Sequence, residues 1–188
     1  RKTGARMVYV SSMEVYGTLP DGEVANESAL GWIDLTAPRS CYPESKRMCE
    51  CLCAAYAAQH GVQVLSARLA QTFGAGVLPG ENRAFAQFAR SAMSDENIVL
   101  KTTGLSEGNY VNTIDCVRGL LTLLARGEAG LSYNIANEES HGTIRFVAEL
   151  ASDILGGGKC NVVIDVDESN SAGYAPDVHL RLSSARLR

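Results

Sequence analysis

Met7-Val8-Tyr9-Val10-Ser11-Ser12-Met13-Glu14-Val15-Tyr16-Gly17, followed thirty residues after Ser12 by Tyr42-Pro43-Glu44-Ser45-Lys46, is the stretch that decides how this chain is read. Its first four residues are apolar and β-prone, which predicts a strand with hydroxyl residues at its end. The second segment opens a helical pattern over residues 39–60, with Met48, Cys49, Leu52, Cys53, Tyr56 and Ala57 as its apolar positions and Gly61 as the stop. Pro43 falls in the first turn, where a missing N–H costs little. Residues four apart share a helix face, so Lys46 can hold its ammonium near the Tyr42 phenol. A cation there favours phenolate and draws a tyrosine down from its ordinary value of about 10. Tyr42 can then act as a general base on a substrate alcohol, with Ser12 fixing the alcohol oxygen.

The two motifs together resemble the extended branch of the short-chain dehydrogenase/reductase superfamily, the NAD-dependent sugar-nucleotide epimerases, dehydratases and decarboxylases. The resemblance continues through Ala67-Arg68-Leu69-Ala70-Gln71-Thr72-Phe73-Gly74, Gly108-Asn109-Tyr110-Val111 and Ser132-Tyr133-Asn134-Ile135, and so covers nearly the whole chain. It implies that Ser12 orients a sugar hydroxyl, that Tyr42 removes its proton while hydride passes to the nicotinamide, and that Lys46 holds the nicotinamide ribose. It also implies NAD as cofactor, a nucleotide-sugar substrate and a homodimer.

Departures from the family pattern narrow the chemistry. The dehydratases resemble S-T-D-E-V-Y-G, and Met13 stands where their aspartate would be. A thioether cannot donate a proton. Glu14 is kept, which leaves decarboxylation, epimerisation and a modified dehydration open. In the R-x-F-N-x-Y-G-P pattern Gln71 replaces the asparagine that reaches the diphosphate, retaining an amide donor, and Ala75 replaces the proline. By analogy with the decarboxylases Arg83, at a helix start, is a candidate phosphate or ribose contact. Gly108 takes the place of a phosphate-gripping arginine, and Asn112 that of a common tyrosine.

The family opens with a strand, a Gly-rich turn and a helix whose N-terminus takes the pyrophosphate. No such turn follows a strand in these 188 residues, and Gly156-Gly157-Gly158 comes after a helical pattern as a stop. The expectation is therefore an α/β chain with a partial Rossmann-like parallel sheet, comprising its last strands, and a small α/β substrate domain. Residues 1–70 would be the C-terminal part of the dinucleotide-binding domain and 71–188 a truncated substrate domain, inactive when isolated. Two other classes stay open: a non-catalytic remnant or interaction module, and a small-carbonyl short-chain reductase. The long segment after Gln71 argues against the latter.

The rest of the sequence bounds these readings. A net charge of −4 and scattered Lys and Arg give no sign of nucleic-acid binding, and no apolar run is long enough to span a bilayer. The six cysteines match neither a zinc nor a disulfide spacing, so free thiols in a reducing cytoplasm and no metal are expected. Residues 18–38 read as a loop in which Glu23, Glu27 and Asp34 are solvated charges. Further helices are expected over 83–90, from Thr113 to about Arg126 with Val117, Leu120, Leu121 and Leu124 as its apolar face, and from Thr143 to Leu155. Short strands are expected at 62–69, 98–101, 110–111, 131–136 and 162–164, with His141 a polar loop residue.

Overall fold

The computed structural model describes residues 3–166 and 177–188. Its elements run β1 (Met7–Ser12), β2 (Val24–Ala25), α1 (Cys41–His60), β3 (Val64–Leu69), β4 (Gln71–Phe73), α2 (Ala84–Met93), β5 (Ile98–Leu100), β6 (Glu107–Gly108) and β7 (Tyr110–Asn112). After these come α3 (Thr113–Arg126), β8 (Ser132–Ile135), β9 (Gly142–Thr143), α4 (Ile144–Leu155), β10 (Val162–Ile164) and β11 (Arg181–Leu182). The expected elements are present, and the short strands β2, β4, β6, β9 and β11 were not anticipated. Part of the closing region, Tyr174 to Pro176, lies outside the described residues.

A parallel sheet of order β1-β3-β8 forms the centre, with Ser12 opposite Leu69 and Leu69 opposite Ile135. Val64 to Arg68 of the middle strand are all buried, as in a parallel sheet covered on both faces. The main core joins Leu65, Ala67, Tyr133 and Ile135 to Met13, Val15 and Tyr16 from the turn after β1 and to Leu123 of α3. A separate core of Phe88, Ala92, Ile98, Leu100, Ala148 and Cys160 lies between α2, α4 and the parallel pair β5 and β10.

The 18–38 segment returns to the end of β1 by close backbone approach. Gly17 has φ +62, and a Cβ on Gly31 would lie 2.0 Å from the Thr18 carbonyl oxygen, a distance only glycine permits. Glu27, expected to be solvated, is instead buried, because its Oε1 accepts the Asn134 backbone N–H at 2.9 Å.

Two helix faces differ from expectation. On α1 the apolar positions Met48, Leu52 and Tyr56 face outward at 61%, 50% and 55% exposure, while Glu50 is buried. On α3 the buried residues are Cys116, Gly119 and Leu123, and Val117, Leu121 and Leu124 are exposed. The α3 cap is Asn112, whose Oδ1 accepts the Ile114 N–H at 2.9 Å, rather than the Thr113–Asp115 segment. The glycines from Gly156 do end α4.

Glu138 secures the C-terminal residues. Its Oε1 accepts the Ser184 N–H at 2.6 Å and pairs with Arg188. The Arg188 guanidinium first, then the Ser184 N–H, hold its carboxyl down to about 2. A depressed carboxyl stabilises the fold above its unfolded value of about 4.3, and the contribution fades as pH falls from there through about 2. Glu138→Gln is expected to destabilise the chain at pH 6 and to differ less from wild type with each step of acidification towards pH 2 in urea titrations. A pH-independent difference would contradict this.

Candidate active site

The strand end and the helix start meet as the spacing implies. Ser12 caps a 3-10 turn over Met13–Tyr16, its Oγ accepting the Glu14 N–H at 3.2 Å, and Glu14 itself is exposed. Tyr42 and Lys46 occupy the first turn and a half of α1. The Lys46 ammonium donates to the Val10 carbonyl oxygen at 2.9 Å, two residues before Ser12 on β1. It also lies 5.7 Å from the centroid of the Tyr42 ring, whose side chain is 45% exposed. One cation thus links the strand that carries the serine to the tyrosine. Such a trio can orient an alcohol, take its proton and hold the developing charge.

Gln71 and Arg83 are placed differently. Gln71 begins β4, its N–H donating to the Asn109 carbonyl at 3.1 Å, and it is half-buried. The Arg83 guanidinium is exposed and engaged by Glu81 at 3.1 Å, with a second bond to the Thr72 carbonyl at 3.4 Å. A ligand phosphate would have to compete with Glu81 for it. Near Gln71 an open cavity of about 320 Å³ is lined by Phe73, Phe85, Tyr110 and Phe146, an aromatic wall in which Phe85 packs edge-on against Tyr110.

Met13 and Gly108 prove to be a single feature. Met13 is buried at 6% exposure, and a Cβ on Gly108 would sit 3.1 Å from its terminal methyl. The thioether therefore fills the space beside the position where a basic residue would begin.

Sequence reasoning missed a buried polar network beneath the site. The Arg68 guanidinium pairs with Glu50 at 2.7 Å and donates to the Tyr16 hydroxyl at 3.1 Å and the Glu27 carbonyl at 2.9 Å. Burial works against the Arg68 charge, and the Glu50 carboxylate together with Tyr16 more than offsets it, so Arg68 stays cationic. The Tyr16 phenol, pushed up by burial, donates to Asn134 Oδ1 at 2.6 Å. Asn134 Nδ2 donates to the Ala25 and Ser183 carbonyls. Glu50 lies one turn beyond Lys46, so the network fixes α1 against the turn that holds Ser12 and Glu14. The available signals are two charged residues in elements the pattern turns inward: Arg68 within the 62–69 strand and Glu50 on the helix that carries Lys46.

His141, expected as a polar loop residue, has its Nε2 3.7 Å from Glu107. Among the described residues no group of three or more His, Cys, Asp and Glu could hold a metal ion, and no helix is long and apolar enough to cross a membrane.

A parallel α/β sheet with a serine at one strand end and Tyr-x-x-x-Lys on the next helix is a Rossmann-like arrangement. The sequence model of the NAD dependent epimerase/dehydratase family matches residues 1–136, and the chain belongs to that family. UDP-glucuronic acid decarboxylase 1 of Xenopus tropicalis is 31% identical over 158 residues, 84% of this chain and 37% of that protein. The Danio rerio protein of the same name is 32% identical over 152 residues, 81% of this chain and 36% of that protein. The chain therefore spans well under half the length of these curated relatives. Among solved structures, RMD from Pseudomonas aeruginosa, complexed with NADPH, aligns with TM-score 0.72 and 27% identity over 96% of this chain and 57% of that one. The dTDP-glucose 4,6-dehydratase of Bacillus anthracis, in complex with NAD, shares the fold at TM-score 0.76 and 20% identity, covering 97% and 54%.

Proposed function

We propose that this chain supplies the acid–base and sugar-binding part of an NAD-dependent nucleotide-sugar decarboxylase. The observation that carries the reading is Lys46, bonded beside Ser12 and facing the exposed Tyr42 ring. The likeness to UDP-glucuronic acid decarboxylases supports decarboxylation among the family's reactions. Ser12 would hold a sugar hydroxyl and Tyr42 would remove its proton as the carbon becomes a carbonyl. With a carboxylate on the carbon next to that carbonyl the oxidised sugar is a β-keto acid, which loses CO2 readily to leave an enolate. Glu14 lies exposed at the same strand end, within the turn that Ser12 caps, and Met13 cannot serve as an acid there.

NAD, when bound, supplies the hydride acceptor and returns the hydride. The phenol of Tyr42 and ammonium of Lys46 suit ribose hydroxyls, and both stand at the carboxyl end of β1, where open parallel sheets take ligands. The pyrophosphate has no Gly-rich turn in these 188 residues, so the chain alone is proposed to be inactive. Gln71 and Arg83 are proposed substrate contacts, Arg83 after release from Glu81. The division near residue 70 into dinucleotide and substrate domains is part of the same reading. The outward apolar face of α1, Met48, Leu52 and Tyr56, suits a homodimer, and six free cysteines suit a reducing cytoplasm.

The test is turnover of UDP-glucuronate by a protein in which a dinucleotide-binding half precedes Met7. Release of CO2 with a UDP-pentose product is expected. Turnover of UDP-glucose or dTDP-glucose instead would replace decarboxylation by epimerisation or dehydration.

A further inference from the structure

Tyr9 lies on β1, two residues upstream of the serine pair. Its ring centroid is 5.0 Å from Lys46 Nζ, closer than the Tyr42 ring at 5.7 Å. The same ammonium bonds the Val10 carbonyl at 2.9 Å, so the residue after Tyr9 supplies its acceptor. The ring belongs to a strand and the ammonium to a helix, so the contact spans two elements rather than neighbours on one helix. Cys49, on the turn of α1 that follows Lys46, is the hydrogen-bond neighbour of the Tyr9 phenol. Burial, and then Cys49, push that phenol upward, so it stays neutral and keeps the electron-rich ring face a cation seeks.

We propose that Tyr9 is the positioning residue for Lys46. Its ring holds the ammonium at the end of β1, between the Val10 carbonyl and the Tyr42 ring, so that a long flexible side chain is set before any ligand arrives. The alternatives available to a lysine at a helix start are many, and an exposed ammonium samples them freely. A ring face and a carbonyl together select one. Lys46 therefore reaches its partners already placed, with less rotamer freedom to lose on binding.

This rests on the proposed function for the importance of Lys46, and the experiment reads Lys46 without turnover, so either claim can fail alone. In the 188-residue chain, competitive acylation of lysine amines with a neutral reagent should modify Lys46 about threefold faster in Tyr9→Leu than in wild type, relative to Lys159, the change a cation–π contact of ordinary strength produces. Tyr9→Phe, which keeps the ring, should react as wild type does. Unmodified protein should show nuclear Overhauser contacts between the Lys46 ε-methylene and the Tyr9 ring. Lack of those contacts overturns the assignment even if Tyr9→Leu does not fold. So does equal labelling in Tyr9→Leu and wild type, or a Tyr9→Phe rate as high as that of Tyr9→Leu.

Discussion

Glu50→Ala is expected to lower folding stability by about 3–5 kcal/mol, the cost of stranding a buried charge. The side chains of Arg68 and Glu50 are only 6% and 8% exposed, and the guanidinium has no second carboxylate partner among the described residues. Glu50 Oε2 also accepts the Ser132 hydroxyl at 3.0 Å, so the substitution frees a bond to β8 as well. Glu50→Gln keeps the shape and part of the hydrogen bonding without the charge, and should lie between wild type and alanine. Urea unfolding of the three proteins, fitted with a shared slope, checks this. A loss below about 1 kcal/mol for alanine, the range of an exposed pair, would show that water reaches Arg68.

Tyr42→Phe, in the protein that carries a dinucleotide-binding half, is predicted to cut kcat by roughly 10²–10⁴ while KM for the nucleotide sugar stays close to wild type. That range is what a positioned general base contributes. Tyr42 is exposed and stands outside the core, so the ring of phenylalanine preserves the fold and removes only the ionisable oxygen. A rise in KM with kcat intact would mean that Tyr42 binds substrate without moving a proton.

Much of this site could be read from the sequence because its geometry is local. Four residues separate Tyr42 from Lys46, the helix period brings them to one face, and the strand-forming run before Ser12 fixes the other partner. The helix itself was harder. An apolar stripe marks one face of α1 and cannot say whether sheet or solvent meets it. Here the inward face carries Lys46, Cys49, Glu50 and Cys53, so the usual inside–outside assignment fails for Met48, Leu52 and Tyr56. Glu27 was misread for a related reason. A carboxylate in a polar loop looks solvated until the backbone N–H it accepts, more than a hundred residues away at Asn134, is known. The cap of α3 differed by one residue, since Asn112 and Thr113 are both good capping types.

Asn134 carries a kinetic consequence. Its side chain bonds Tyr16 across 118 residues, Ala25 across 109 and Ser183 across 49. Contacts of such sequence separation close large loops and tend to form late on the way to the native state. Asn134 should thus act mainly as a brake on unfolding: Asn134→Ala is predicted to speed the unfolding limb of a chevron and leave the refolding limb nearly unchanged.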